Sequence, residues 1–272
     1  MLFICPKCKT KFTISPDGRA ICENGHSFDR AKEGYYNLLF KNNGGTHGDN
    51  REMVLARRAF LESGAYEPLA QKILDRVSGF AKSGDNILDG GCGEGYYTDL
   101  IERGLKVLGI DAHVSGFDIS RDAVRYASKK NRALSLVVAS SYDMPLSDGS
   151  VDLFINVFSP LALSETARVV RPGGRFIMAI PNRRHLFGLK SVLYERPYEN
   201  TVEDSALEGF TLIAEDKVSY ELTLDTKDAI RSLFMMTPYA YRTPKSAGER
   251  LLSMTSLTTE IEFIVFTYER NK

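Results

Sequence analysis

The 272-residue chain has no excess of charge of either sign: 35 Lys and Arg stand against 35 Asp and Glu. Bulk charge therefore gives no reason to expect a polyanionic partner. Long apolar runs are missing too. None approaches the roughly 20 residues that a membrane-spanning helix needs, although 43% of the residues are hydrophobic. Met1-Leu2-Phe3-Ile4 runs straight into Cys5-Pro6, too short for the apolar stretch of an export leader, and no lipidation motif is present. These absences predict a cytoplasmic protein with no membrane partner. Only four cysteines occur, and without an export signal disulfides are disfavoured as their use. What remains is an ordinary globular composition, long enough for one large domain and a small appendage. The neutral average conceals a gradient. Residues 1–58 hold ten Lys and Arg against six Asp and Glu, so the rest of the chain is acidic by the same margin. A basic end on a mildly acidic body points to a local nucleic-acid contact.

Three of the four cysteines sit together. Cys5-Pro6-Lys7-Cys8 is followed by Cys22 and, four positions on, by His26. Two such half-sites suit Zn²⁺, which takes four sulfur or nitrogen ligands in a closed tetrahedron. Cys5, Cys8, Cys22 and His26 are the expected ligands. A site filled by protein groups predicts a structural metal rather than a catalytic one. Phe12, Ile14, Ala20 and Ile21 flank the turn Ser15-Pro16-Asp17-Gly18, which reads as a β-hairpin between the half-sites. Lys7, Lys9, Lys11 and Arg19 on that hairpin suit either phosphate contact or a solvated face.

From about residue 50 the pattern becomes α/β. Residues 51–61 and 66–77 read as helices, with Gly64 between them. A short apolar strand then ends at Asp89, and Gly90-Gly91-Cys92-Gly93-Glu94-Gly95 leads into a helix from about Tyr96. Such a turn brings backbone close to a ligand beneath a helix N-terminus. The loop is tighter than a dinucleotide fingerprint, and Asp89 can serve a cationic ligand, which makes Asp89, Gly91 and Gly93 expected cofactor contacts. The run Asp89-x-Gly91-x-Gly93-x-Gly95 resembles the first motif of class I S-adenosylmethionine-dependent methyltransferases. Apolar pieces at 107–110 and 116–117 read as a second strand region with two acidic ends. Asp111 lies 16 residues past Gly95 and Asp118 lies 23 past it. Asp118 is the expected ribose ligand, because Ser120 behind it caps an amphipathic helix to Lys130. Residues 111–116 then read as a small insertion. Further strands are expected at 134–139, 151–156, 175–180 and 261–266, with a helix at 164–170. Residues 181–256 show little regular patterning.

Zinc module and body together resemble the large-subunit ribosomal RNA (guanine-N1)-methyltransferase family. The resemblance is carried by the metal pattern and by Phe28-Asp29-x-Ala31-Lys32-Glu33-Gly34-Tyr35-x-Asn37-Leu38-Leu39. It continues through Ala56-Arg57-Arg58-Ala59-Phe60-Leu61, the glycine loop, Arg168-Val169-Val170-x-Pro172-Gly173-Gly174, Arg184-His185-Leu186 and Met236-Thr237-Pro238. It implies a class I methyltransferase fold (a Rossmann-like, doubly wound α/β sheet) with an N-terminal zinc ribbon. The implied division is ribbon 1–40, helical linker 41–65 and methyltransferase domain 66–272. It also implies methyl transfer from S-adenosylmethionine to N1 of a guanine in a 23S rRNA hairpin, a structural Zn²⁺, a homodimer, and cofactor contacts at Tyr66, Glu94, Gly95, Asp118 and His185. One departure is Asn156-Val157-Phe158-Ser159-Pro160, which lacks the N-P-P-Y form of amino-group methyltransferases.

Guanine N1 carries a proton, so a base, or a group that steadies charge at O6, is useful. Asp143, Asn156 and His185 are the candidates, with Arg184 beside them, and Phe158, Tyr97, Tyr239 and Tyr241 are candidate stacking faces. Two other classes fit parts of the pattern: a small-molecule methyltransferase, which has no use for a basic ribbon, and a non-enzymatic zinc-ribbon RNA-binding protein, which has no use for an intact glycine loop.

Overall fold

A computed structural model describes residues 1–39, 48–202 and 205–272. At the N-terminus, β1 (Phe12–Ile14), β2 (Ala20–Cys22) and β3 (Ser27–Phe28) form a three-stranded antiparallel sheet in that order. The β1–β2 hairpin pairs Phe12 with Cys22 and Ile14 with Ala20, as its alternation predicts. Its turn closes through Ser15 and Arg19, with Gly18 in the left-handed region at φ +85°.

The body is an eight-stranded sheet. Its strands are β4 (Tyr36–Asn37), β5 (Asn86–Gly90), β6 (His113–Asp118), β7 (Ser135–Val138), β8 (Val151–Val157), β9 (Val170–Pro181), β10 (Phe210–Leu224) and β11 (Leu257–Arg270). The spatial order is β10-β11-β9-β8-β5-β6-β7-β4, parallel from β4 to β9 and antiparallel at β11 and β10. The order reverses beside β5, so ligands are expected at the carboxyl ends there. Tyr36–Asn37 falls inside the stretch expected to be ribbon, yet it is the edge strand of the body.

Successive residues of the central strands enter opposite cores. Ile87, Ile155, Ile177 and Val265 face one side, where they meet Leu69, Ile73 and Val77 of α2 (Glu67–Ser78) and Ile101 and Leu105 of α3 (Tyr96–Val107). Leu88, Phe154, Phe176 and Ile264 face the other. There the cover is α5 (Leu163–Val169), the chain before β10 and, from the zinc module, Phe3 and Ala20. The ribbon thus closes one face of the body sheet. The first face also receives α1 (Arg51–Glu62), α4 (Arg121–Lys130), α6 (Phe187–Leu193), α7 (Lys227–Met235), α8 (Tyr239–Arg242) and α9 (Lys245–Ser253), through residues such as Phe60, Val124, Leu189, Ile230 and Leu251. Helix α1 starts where Asn50 accepts a hydrogen bond from the Met53 amide, and α4 where Ser120 does the same for Ala123. No helix among the described residues is long and apolar enough to cross a membrane.

Two expectations change. Residues 107–110 are not strand: Val107 ends α3, and Val107 and Leu108 are 87% and 58% exposed. They are apolar residues on a solvated helix end, and only tertiary context separates that from a strand. The supposed insertion at 111–116 is likewise overturned, because His113 to Gly116 pair continuously with Asn86 to Asp89 inside β6. The expected linker at 41–65 contains α1; its residues 41–47 lie outside the described residues.

Candidate active site and metal centre

Cys5, Cys8, Cys22 and His26 converge so that their ligand atoms all lie within 4.8 Å of one another. Cys8 Sγ is 3.5 Å from Cys22 Sγ, and His26 Nδ1 is 3.4 Å from Cys22 Sγ and 3.6 Å from Cys5 Sγ. These are close to the edges of a tetrahedron with metal–sulfur distances of about 2.3 Å and metal–nitrogen distances of about 2.0 Å. The donor set fits Zn²⁺, and four protein ligands leave no position for a substrate. This is a structural zinc site.

The module docks on the loop that follows β7. Lys9 Nζ reaches Asp143 Oδ1 at 2.7 Å, and the Ile4 amide donates to the Pro145 carbonyl at 2.9 Å. Both partners belong to the loop that leaves β7. Asp143, a candidate base, is therefore ion-paired and exposed.

At the carboxyl end of β5 the chain turns sharply. Gly91, Gly93 and Gly95 all have φ between +55° and +82°. A side chain on Gly91 would collide with Ser159, and one on Gly95 would meet the Ala127 Cβ at 2.8 Å. Gly93 faces open space. Asp89 is buried and accepts from Thr98 Oγ1 at 2.6 Å; burial pushes its carboxyl up to about 7 despite that bond. Asp118 ends the neighbouring strand. Its carboxylate accepts from the Gly93 amide at 3.0 Å and the Ser120 amide at 2.7 Å, and burial raises its pKa as well. Asp111, the alternative, precedes β6 at the opposite end of the strand and pairs with residues 83–84.

Glu94 is 2% exposed, and neither of its oxygens has a hydrogen-bond partner among the described residues. The nearest cation is Lys130, 3.8 Å away. A buried carboxylate left in this state is costly, and burial raises its pKa. Glycines without side chains, open space over Gly93, two carboxylates at strand ends and a Glu94 without a hydrogen bond among the described residues fit a ligand carrying an ammonium group and a ribose.

His185 is buried beside Tyr66 and Phe263. Its Nδ1 accepts from the Glu262 amide at 3.3 Å, which places the ring proton on Nε2, 3.3 Å from the Tyr66 hydroxyl. Burial, aided by Lys190, lowers its pKa to about 3, so the ring stays neutral. Tyr66 packs edge-on against Phe60 and Phe263, and Phe263 contacts Phe158 and His185 in turn. Phe158 follows β8 in the left-handed region at φ +57° and is 41% exposed, a strained setting for a non-glycine residue. Asn156, two residues before it, is buried. Tyr97 is in the core, Tyr239 packs against Tyr194, and Tyr241 is exposed. Arg184 is held by Glu260 and Glu199, and Lys190 is buried against Asn200, so neither is a free phosphate ligand.

The sequence did not disclose the chain around residue 49. Ser120 Oγ donates to the Asp49 carbonyl at 2.7 Å, and the Asp49 carboxylate pairs with Arg57. This places Asp49 and Arg57 next to Asp118. The string Ala56-Arg57-Arg58 was the available signal, but it named no role.

A mostly parallel sheet with this loop at its switch point and an acidic residue ending each flanking strand defines a class I S-adenosylmethionine-dependent methyltransferase. Comparison with known proteins agrees: residues 81–233 match the family described as "Methyltransferase domain", and residues 3–43 match "RlmA, N-terminal". The protein named "Putative 23S rRNA (guanine-N(1)-)-methyltransferase YxjB" of Bacillus subtilis is 33% identical over 97% of this chain and 96% of its own. The 23S rRNA (guanine(748)-N(1))-methyltransferase of Streptomyces fradiae is 30% identical over 97% and 94%. Among solved structures, a chain in the complex of the Haloferax volcanii Trm112 methyltransferase activator with a methyltransferase superposes with a TM-score of 0.50, at 20% identity, over 83% of this chain and 100% of that one. The chain belongs to the 23S rRNA (guanine-N1)-methyltransferase family.

Proposed function

We infer that this protein transfers a methyl group from S-adenosylmethionine to N1 of a guanine in a 23S rRNA hairpin. The observation that carries the reading is a zinc ribbon docked on a body whose glycine loop and strand-end carboxylates suit that cofactor. The full-length relatives, which bear rRNA (guanine-N1)-methyltransferase names, support it. A small-molecule enzyme has no need of the ribbon.

Bound S-adenosylmethionine supplies an activated methyl group; the chain's task is to place a purine in line with it. Asp118 holds the ribose hydroxyls, with its two amide bonds fixing the carboxylate. Asp89 and Glu94 balance the cofactor's positive charge. Tyr66 and His185 orient its methionyl end through their mutual hydrogen bond. His185 is too weak a base at about 3 to take the guanine N1 proton, so its part is orientation. Phe158 offers the base a stacking face, and the Asn156 amide suits a donor to O6, which carries the negative charge as the N1 proton passes to solvent water. The protein works in the cytoplasm, where its substrate is made. The homodimer rests on the family resemblance alone, and its check is the mass in solution.

The test is incubation of the protein and labelled cofactor with a 23S rRNA transcript, followed by nuclease digestion and mass spectrometry of the nucleosides. One 1-methylguanosine per transcript is expected. Transfer to small hydroxy-aromatics but not to RNA would support the small-molecule enzyme, and absence of cofactor binding would leave only an RNA-binding protein.

A further inference from the structure

Where the zinc module meets α4, a notch of about 150 Å³ opens. One wall is the turn after β3, with Arg30, Lys32 and Gly34; the other is the end of α4 and its exit, with Ser128, Asn131 and Arg132. None of the three cations forms an ion pair with a carboxylate among the described residues. The Arg30 Nε donates to the Gly34 carbonyl at 3.0 Å, which holds the guanidinium over the turn. Gly34 shapes the turn by adopting φ +110°, where a side chain would be strained. The acid of this wall, Glu33, is matched by Arg125 at 2.9 Å and adds no net charge. Ser128 is 4% exposed, and its hydroxyl is buried without a partner among the described residues. Buried hydroxyls are normally satisfied, so an orphan lining a cationic notch points to a ligand that accepts hydrogen bonds.

We propose that this notch seats one phosphodiester of the RNA substrate, held by Arg30, Lys32 and Arg132 with Ser128 donating to it. The proposal rests on the rRNA reading above and adds to it a place and a contact. The volume is several times the roughly 30 Å³ of a water, room enough for a phosphate group, and the cationic lining favours the anion over an uncharged base. Its position has a consequence. Ala127 touches Gly95 of the cofactor loop, and Ser128 follows it. A phosphate gripped by Arg30 on one wall and Arg132 on the other clamps ribbon to body one residue from the cofactor site. The contact reads no bases, so it sets register rather than sequence.

The experiment measures binding of a fluorescent 23S rRNA hairpin transcript between 50 and 300 mM salt, for the intact protein and for Lys32→Gln, Arg132→Gln and the double variant. Each cation is exposed, so folding is not at stake, and cofactor affinity serves as the control. Each single variant is expected to bind roughly fivefold to tenfold more weakly at 0.1 M salt, equally for unrelated hairpins. The slope of log affinity against log salt should fall by about 1 in the double variant, since both cations serve one phosphate. A fall of about 2 would assign them to separate phosphates and overturn the notch. An unchanged slope and affinity, with the wild type binding and methylating the transcript, overturns the notch alone. A wild type that neither binds nor methylates RNA overturns the functional reading as well.

Discussion

Ribbon and body are built on different physical terms. The body's central strands are buried on both faces by large apolar side chains, each contributing about 1.5–3 kcal/mol. The ribbon's strands are two or three residues long, and the apolar residues it buries most deeply, Phe3 and Ala20, are buried in the body's core rather than its own. Burial of that extent cannot offset the conformational entropy of ordering some thirty-five residues. The metal supplies the difference. The contrast teaches that one region owes its shape to ligation and lends its surface to the partner, while the other owes its shape to packing and can hold a strained, charged cofactor loop.

The largest effect expected is on the ribbon. Cys8→Ser should release the metal and expose amides before residue 36 to rapid hydrogen exchange, while β5, β8 and β9 stay protected. Elemental analysis and exchange mass spectrometry check both halves; retained zinc would break the ligand assignment. Next comes the loop. Gly95→Val puts a side chain into the left-handed region and against Ala127, at a local cost of about 1–3 kcal/mol. Cofactor affinity by calorimetry should fall at least a hundredfold with zinc content unchanged. Asp118→Ala removes charge-assisted bonds of about 1.5–3 kcal/mol, so affinity should fall by tenfold or more. Equal affinity would shift the ribose contact elsewhere.

The smallest effect is a titration. Asp89 is pushed up to about 7, against about 4 for an ordinary carboxyl. The folded, unliganded chain holds that proton longer than the unfolded chain, so this group lowers stability as pH rises from about 4 to about 7. A cationic ligand favours the carboxylate. Cofactor affinity should therefore rise by up to tenfold per pH unit below about 7 and level off above it. Asp89→Asn should bind more weakly and show a flat profile over the same range; an equally steep profile would assign the titration to another group.

Much of this was legible because it depends on neighbours in sequence. The metal ligands, the hairpin turn, the glycine loop and Ser120 capping α4 are local devices, and that cap marks Asp118 as the end of the strand before it. The parts that were not legible are long-range or solvated. Strand β10 is marked by alternation only in its second half, where Val218, Tyr220, Leu222 and Leu224 turn inward between exposed Ser219, Glu221 and Thr223; its first half turns Asp216 inward and leaves Leu212 and Ile213 exposed. Val107 and Leu108 mislead in the same way, being apolar and exposed. The bonds Thr98–Asp89, Ser120–Asp49 and Lys9–Asp143 join segments that only the fold brings together. Asp143 is a candidate base in the sequence, and only the fold brings Lys9 to it.

The division of labour between the two regions has a direct test. Cofactor affinity and the rate of methyl transfer to the rRNA hairpin are measured on the same preparation of Cys8→Ser and compared with the wild type. Cofactor affinity within a few-fold of wild type, together with transfer to RNA reduced at least a hundredfold, is the predicted result. Transfer at the wild-type rate from a protein that has lost its metal would contradict the account.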